Sequence, residues 1–214
     1  MRYNTYMADD ELSLDAVIQQ FGLDVRQEED LFAGVVPATL SDLLRQTLAG
    51  NVPLAVDIGT KKARSEFIIA PILAEVRRVA QPPVSLFSGV EFNVDIERGL
   101  RGVCDFLFSL SLLQLAVQAP VVAIVEAKND NIKSGIGQCI AEMLAAQAFN
   151  QQRSNPIPVI YGVVTTGSIW KFLRLTGSLV SADEREYYIK EVERIVGVLV
   201  AMVSIVGDSA SANI

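Results

Sequence analysis

The sequence predicts an α/β protein of the α+β type, with one mixed central sheet flanked by helices. From residue 61 onward, apolar periodicity gives the order helix, three strands, helix, strand, strand and helix. Short connections between the first three strands suit an antiparallel meander, whereas the long helix after them permits a crossover to a parallel neighbour. With 214 residues, half of them hydrophobic, the chain can build one domain with a substantial core.

The N-terminal segment, residues 1–57, is acidic and is predicted to be helical. Its first 50 residues contain three basic and nine acidic side chains, whereas the rest of the chain is close to neutral. Two short helices are expected, at residues 13–22 and 39–50, each ending at a glycine. Because this segment is too small for a domain, we interpret it as an extension of a core at residues 58–178, which is followed by a C-terminal helical segment at residues 179–214.

Helical and strand periodicities follow one another through the predicted core. Residues 61–78, KKARSEFIIAPILAEVRR, have apolar side chains at helical spacing, and Pro71 is expected to bend this helix. Residues 90–97 alternate apolar and polar side chains, which predicts a half-exposed strand that ends in a glycine-bearing turn. Residues 101–109 predict a second strand, which carries Asp105.

A third strand, within VVAIVEAKND at residues 121–130, ends on two charged side chains. Because side chains alternate across a strand, Glu126 and Lys128 project from the same face. Burying an unpaired carboxylate or ammonium costs several kcal/mol, and mutual pairing or a metal ion offsets that cost. We therefore interpret this strand end as a functional site. The alternative is a strand terminus that emerges into solvent, where its charges pair with Asp105.

The remaining elements complete the sheet and cover it. Residues 131–153 predict a helix on which Gln138 and Glu142 lie one turn apart. Residues 157–175 predict a strand, a glycine-bearing turn and another strand. The helix therefore brings polar side chains into the neighbourhood of the third strand.

A long C-terminal helix is expected over residues 181–207, with Ser181 as its N-cap. Its end is apolar on nearly all sides at residues 195–206, which is more than a small domain normally covers, so we predict a homo-oligomer through this helix. This apolar end is too short to span a bilayer. Serine and glutamine interrupt the uncharged run at residues 106–125, so no membrane partner is expected.

The complete absence of histidine narrows the possible chemistry. It excludes histidine general bases, Ser-His-Asp or Cys-His nucleophiles and histidine-ligated zinc. Cys104 and Cys139 lie inside apolar patterns without CxxC spacing, so we interpret both as core residues in a reducing compartment. The start of the chain does not resemble a secretion signal, and a cytoplasmic location is expected.

The charged strand end and the elements around it resemble the PD-(D/E)XK nuclease superfamily, which has a restriction endonuclease-like αβββαβ core. Here the motif is Asp105 on the second strand and Glu126-Ala127-Lys128 at the end of the third, with Cys104 in place of the motif's proline. More narrowly, SEFIIAPIL, GLRGVCDF, VVAIVEAK and VVTTGSIWKFLRL are similar to the N-terminal nuclease domain of type I restriction enzyme motor subunits and its stand-alone relatives. The similarity covers roughly residues 60–176.

This resemblance implies metal-dependent hydrolysis of phosphodiester bonds in nucleic acid, with DNA favoured. Asp105 and Glu126 would hold Mg²⁺ or Mn²⁺, and Glu66 on the first helix would complete or relay the metal site. Lys128 would orient the attacking water and offset developing negative charge. Gln138 would contact the scissile region or the nucleic-acid backbone.

The charge balance leaves two other hypotheses open. Nuclease grooves usually carry basic side chains because phosphate contacts dominate affinity. This core is close to neutral, and Lys61, Lys62 and Arg64 are interpreted as a solvated helix face. The alternative function is therefore a catalytically silent member of the fold that acts as an interaction or assembly module. A third hypothesis is that the acidic N-terminal segment covers the groove of a real nuclease until a partner binds.

Overall fold

The computed structural model describes residues 13–211, with side chains as far as Ser204. In chain order the strands are β1 (Asp24–Glu28), β2 (Ser85–Glu91), β3 (Val103–Ser109), β4 (Val121–Ala127), β5 (Ile160–Thr165), β6 (Ile169–Thr176), β7 (Leu179–Asp183) and β8 (Tyr187–Tyr188). The helices are α1 (Leu14–Phe21), α2 (Asp42–Ile58), α3 (Lys61–Arg64), α4 (Ala70–Val79), α5 (Lys133–Gln152) and α6 (Val192–Ser211). A π-helical turn, Ser65–Ile69, joins α3 to α4, and a 3₁₀ turn, Ile189–Glu191, precedes α6.

Within this range the strands form one eight-stranded sheet in the order β1-β7-β6-β5-β4-β3-β2, with β8 beside β6. β2, β3 and β4 are antiparallel neighbours, and β5 lies parallel to β4 after the crossover through α5. β6 runs antiparallel to both of its neighbours on this path, β5 and β7. The predicted α/β class with a mixed central sheet is therefore confirmed. β4 is central in this sheet and all seven of its residues are buried.

The two terminal segments also belong to this sheet. β1 pairs in parallel with β7, and β7 pairs with β6 from the middle of the chain. The three segments that the sequence set apart therefore share one sheet and, in their described parts, one hydrophobic core. Cys104 and Cys139 lie in that core as buried, unpaired thiols, as the sequence predicted.

The N-terminal helices differ from expectation at one end. α1 is confirmed, with the Ser13 side chain accepting a hydrogen bond from Ala16 N. The expected end of the second helix at Gly50 is wrong, because α2 continues through Gly50 to Ile58. Gly59, at φ 68°, provides the left-handed cap that ends it.

The predicted first strand at residues 90–97 is wrong in its position, since the strand is β2 at Ser85–Glu91. Beyond β2 the continuous ladder ends, and Asp95 and Leu100 form an isolated bridge. Of the alternating apolar residues only Phe92 is buried, whereas Ile96 is 59% exposed. The alternation therefore continues past the end of the strand without a buried face to match it.

The first core helix is present over residues 61–79, but it contains the π-helical turn. Pro71 has no N–H, so the Phe67 carbonyl lacks its usual helical donor. The side-chain amide of Asn51 donates to that carbonyl at 3.1 Å. The expected irregularity at Pro71 is therefore present as a widened turn.

The C-terminal helix begins later than predicted, at Val192 instead of Ser181. Ser181 lies in β7, where its hydroxyl donates to the Glu28 carboxylate. Asp183, at the end of β7, accepts a hydrogen bond from the Tyr187 hydroxyl at 3.0 Å. Ser181 and Asp183, which suggested an N-cap and a first helical turn, instead lie in a strand between β1 and β6.

The described part of α6 is covered by its own chain. Its fully buried apolar side chains are Ile195, Val196, Val198, Leu199, Met202 and Val203. The side chains of Ile205 and Val206 lie outside the described residues. As far as Val203, the chain itself covers these apolar side chains. The homo-oligomer prediction assumed that they were exposed, so this part of the helix does not support it. None of the described helices has the length and apolar character needed to cross a membrane.

The segment before α2 packs backbone against backbone on α6. Ala38 N donates to Glu193 O at 2.8 Å, and the Arg194 guanidinium donates to the carbonyls of Phe32 and Val35. At Gly197, an added Cβ would lie 2.4 Å from Val36 O. Only glycine therefore permits this approach without a shift of backbone.

Gly197→Ala should lower the free energy of unfolding by about 1–3 kcal/mol, because it overpacks this contact. Gly50→Ala is the matched control, since Gly50 lies in an exposed helical position with no atom within 4 Å of an added Cβ. The control should raise the free energy of unfolding by about 0.5–1 kcal/mol through helix propensity. Urea unfolding of both variants measures the two effects, and effects of the same sign would contradict the packing.

Candidate active site

The sheet brings two acidic side chains to adjacent strands. In the β3–β4 ladder Phe106 lies opposite Val125, which brings Asp105 to the level of Glu126. Asp105 Oδ2 accepts a hydrogen bond from Ala127 N at 2.9 Å. The pairing that the sequence predicted between its second and third strands therefore places these carboxylates side by side.

The Glu126 carboxylate is completely buried, although it lies near the end of its strand. Its Oε1 lies 3.2 Å from Lys128 Nζ, and its Oε2 accepts a hydrogen bond from Gln138 Nε2 at 3.1 Å. Lys128 follows β4 directly and remains beside β5, because its N–H donates to Thr165 O at 2.8 Å. Backbone pairing thus fixes the lysine relative to the buried acid.

Helix α5 supplies an amide that joins three charged groups. Gln138 Oε1 accepts from Lys128 Nζ at 2.9 Å, while its Nε2 donates to both Glu126 and Glu142 at 3.1 Å. Gln138 and Glu142 are one turn apart, as predicted, and both face the end of β4. The amide fixes the relative positions of the lysine and the acids, because it uses its donor and its acceptor at once.

Lys61, at the start of α3, is also a member of this site. The sequence analysis had interpreted it as part of a solvated helix face. Its Nζ lies 2.8 Å from Asp105 Oδ2 and 3.8 Å from Glu126 Oε1. Thr60 caps the helix here and accepts from Ala63 N at 3.1 Å. The sequence shows that a threonine suited to cap a helix, Thr60, precedes Lys61. This pattern places Lys61 in the first turn of a helix, but it does not reveal which strand the lysine faces.

Glu66 is the one predicted site residue that the structure does not bring into this group. It lies in the π-helical turn and forms an exposed ion pair with Lys62 at 2.7 Å. Lys62 and Glu66 are four residues apart and share the solvent-facing side of the helix. The proposed metal role of Glu66 therefore has no support in the geometry, whereas Lys61 from the same helix contacts both acids.

We call the six side chains of this site the β4-end cluster: Lys61, Asp105, Glu126, Lys128, Gln138 and Glu142. Three carboxyl groups face two ammonium groups, so one negative charge is uncompensated when all five are ionised. Glu126 Oε1 is ion-paired with both ammonium groups but accepts no hydrogen bond of good geometry, and Glu142 Oε2 is buried without any hydrogen-bond partner among the described residues. Such incompletely satisfied buried oxygens indicate a place where an added cation or proton would be stabilised.

Burial and mutual repulsion shift the pKa values of the cluster. Desolvation, reinforced by the charge of Asp105, raises the pKa of Glu126 to about 7. Desolvation and the charge of Glu126 raise the pKa of Glu142 well above its usual range. Desolvation lowers the pKa of Lys61, but its hydrogen bond to Asp105 and the neighbouring acids outweigh that effect and raise it. Perturbed pKa values of this kind concentrate at functional sites.

The donor set suits a hard divalent cation held partly by water. Asp105 and Glu126 offer carboxylate oxygens, which Mg²⁺ and Mn²⁺ prefer, and Glu126 Oε1 accepts no hydrogen bond of good geometry from a described residue. Across residues 13–211, no group of three or more His, Cys, Asp or Glu side chains is arranged to hold a metal. A site with two carboxylates and several waters remains compatible with the coordination habits of Mg²⁺.

A glycine on α5 makes room for the lysine of the cluster. An added Cβ at Gly135 would lie 2.9 Å from Lys128 Cε and 2.7 Å from Val164 Cγ1. The side chain of Lys128 therefore reaches Gln138 along a path that only glycine leaves open at this position.

Comparisons with protein-family models, curated proteins and solved structures find no match to this chain, so the interpretation of the cluster depends on its own geometry and chemistry.

Gly135→Ala should displace Lys128 while the sheet remains intact, because the new methyl group takes the space of the lysine chain. In a crystal structure of the variant, the hydrogen bond from Lys128 Nζ to Gln138 Oε1, which is 2.9 Å long in the wild type, should be absent. Gly50→Ala, whose methyl group meets no neighbour, should leave this distance unchanged. An unaltered Lys128 in Gly135→Ala would contradict the packing argument.

The stability of the metal-free protein should fall as pH rises through neutrality. The folded state raises the pKa of Glu126 from 4.5 to about 7, so it binds more protons than the unfolded state between these values. Stability from this group is complete below pH 4.5 and is lost as pH passes 7. Since one pKa unit corresponds to about 1.4 kcal/mol, the loss is at most on the order of 3 kcal/mol.

Urea unfolding in EDTA between pH 5 and pH 8 measures this loss. Glu126→Gln should have a flatter profile over the same range, because glutamine resembles the protonated acid at every pH. A profile as steep as that of the wild type would assign the pH dependence to other groups.

Proposed function

We propose that this protein hydrolyses phosphodiester bonds in nucleic acid, with DNA favoured, in a metal-dependent reaction at the β4-end cluster. The observation that carries this proposal is the convergence of Asp105, Glu126, Lys128 and Gln138, from two strands and a helix, onto one partly buried position. Two acids, a lysine and an amide in contact are the residue types that metal-assisted phosphoryl chemistry uses.

Asp105 and Glu126 are the residues that would hold Mg²⁺ or Mn²⁺. When bound, the ion supplies charge neutralisation for the phosphate and a lowered pKa for an attacking water. The buried Glu126 is held by Gln138, while Asp105 remains about one quarter exposed, so the site faces solvent on the Asp105 side. A substrate phosphate would therefore approach from that side.

Lys128 would act on the substrate through its ammonium group. Gln138 and the Thr165 carbonyl hold it close to Glu126, so its position does not depend on substrate. From there it would donate to the attacking water or to a phosphate oxygen and offset the negative charge that develops during attack. Gln138 is a positioning residue in this proposal.

A cavity next to Lys128, whose lining includes neither proposed metal ligand, would admit the sugar-phosphate backbone adjacent to the scissile phosphate. It has a volume of about 410 Å³, and its lining residues are Ser13, Leu14, Lys128, Asn129, Asp130, Lys133 and Ser134. Two lysines and several hydroxyl and amide groups are suitable partners for phosphate oxygens. Ser13 and Leu14 bring the N-terminal segment to this cavity, which keeps the shielding hypothesis open, although residues 1–12 lie outside the described part. We place this activity in the cytoplasm, where unpaired cysteines remain reduced.

The second candidate function is a catalytically silent interaction module. It is favoured by the internal pairing of the cluster, since Lys61 and Lys128 already compensate Asp105 and Glu126 without any added ion. In that case the buried charges would stabilise the fold alone. Removing Glu126 would then destabilise the protein by leaving Lys128 without its partner, with no cleavage to lose.

Three substitutions should separate the roles. Asp105→Ala and Glu126→Ala should abolish metal binding and cleavage, whereas Lys128→Ala should retain metal binding and lower the cleavage rate about a hundredfold or more. Glu66→Ala is the control and should retain full activity, because Glu66 faces solvent. Calorimetric titration with Mn²⁺ and cleavage of labelled DNA with Mg²⁺ measure the two properties.

Cleavage that persists in EDTA, or that survives Glu126→Ala at the full rate, would assign the activity to another site. Absence of both metal binding and cleavage in the folded wild-type protein would favour the silent module.

A further inference from the structure

The ammonium group of Lys61 lies between the two carboxylates that are the proposed metal ligands. It is 2.8 Å from Asp105 Oδ2 and 3.8 Å from Glu126 Oε1. A cation bound jointly by these two oxygens would have to occupy the same space. Lys61 and a bound metal ion therefore exclude each other.

The two lysines of the cluster are held differently. Lys128 is 16% exposed and is fixed by Gln138, by the backbone of β5 and by the space above Gly135. Lys61 is 44% exposed, and its described partners are the two acids alone. It extends from the first turn of the four-residue helix α3, so its side chain can turn into solvent without disturbing the sheet. Lys61 is thus the replaceable cation of the pair.

The charge of the cluster favours such a replacement. When all three acids are ionised, the two ammonium groups leave one negative charge uncompensated, and the buried Glu142 Oε2 has no hydrogen-bond partner among the described residues. A divalent ion in place of Lys61 would balance all three acids together with Lys128. Monovalent Lys61 therefore compensates the acids incompletely, which leaves electrostatic stabilisation for a divalent competitor.

We propose that Lys61 is an internal counter-ion that occupies the cation position between Asp105 and Glu126, and that a divalent metal must displace it to bind. This inference rests on the proposed function, because it takes these two acids as the metal ligands. It makes metal affinity a property that the chain itself limits. The metal-free protein keeps its buried acid compensated, and loading requires enough metal to compete with a tethered ammonium group.

The test is calorimetric titration of Mn²⁺ into the full-length protein and three variants. Lys61→Met removes the charge and keeps much of the volume, so it should bind Mn²⁺ about tenfold more tightly than the wild type, since a charge-assisted contact is lost from the metal-free state alone. Lys61→Arg keeps the charge and should bind no more tightly than the wild type. Lys62→Met is the control, because Lys62 pairs with the exposed Glu66, and its affinity should be unchanged.

Thermal unfolding provides a second measurement on the same proteins. In EDTA, Lys61→Met should melt at a lower temperature than the wild type, because Asp105 and Glu126 lose a counter-ion. Saturating Mn²⁺ should then raise the melting temperature of Lys61→Met more than that of the wild type. If Lys61→Met does not fold, Lys61→Gln, which can still donate to Asp105, replaces it in both experiments.

Asp105→Asn separates failure of this inference from failure of the proposed function. Equal or weaker Mn²⁺ affinity in Lys61→Met, with binding that Asp105→Asn abolishes, would overturn the role of Lys61 and leave the metal site standing. Absence of Mn²⁺ binding that depends on Asp105 in every variant would overturn both.

Discussion

Burial of the Glu126 carboxylate at the end of β4 is the constraint on which the rest of the site depends. A carboxylate that is completely removed from solvent requires compensation by cations or protons. The chain supplies both, through Lys61 and Lys128 and through a raised pKa of the acid itself. Lys128 and Gln138 are therefore held in defined positions beside Glu126, which is the condition for chemistry at a fixed point.

Glu126 is buried because its strand, β4, lies inside the sheet and is covered by helices. β4 is central, with β3 on one side and β5 on the other, and α5 and α6 pack against it. Strands β7 and β1 extend the sheet beyond β6. Hydrogen bonds between α6 and residues 32–38 attach the N-terminal segment to the core. The described part of the acidic segment and the last helix thus belong to the same sheet-and-core scaffold as β4.

Sequence reasoning succeeded where the physical cause was local. Alternation along a strand is sufficient to place Glu126 and Lys128 on one face, and antiparallel pairing of consecutive strands is sufficient to bring Asp105 beside them. It failed where distant partners decided the outcome. Ser181 and the acids after it resemble a helix start, but pairing with β6 and with β1 makes Ser181 and Asp183 part of a strand. Residues 90–97 alternate as a strand does, yet the ladder with β3 ends at Glu91 and only an isolated bridge between Asp95 and Leu100 follows.

The sequence by itself determined the mixed α/β class and four members of the cluster: Asp105, Glu126, Lys128 and Gln138. Only the tertiary structure decided that Lys61 reaches the acids while Glu66 turns to solvent, because the packing of this helix determines which of its sides faces the ends of β3 and β4. It also decided that Gly135 gives Lys128 its path, since that requirement exists only when α5 packs against β5. Periodicity describes which face of one element is apolar. The distance between charges on different elements depends on how the elements pack, and no local pattern carries that information.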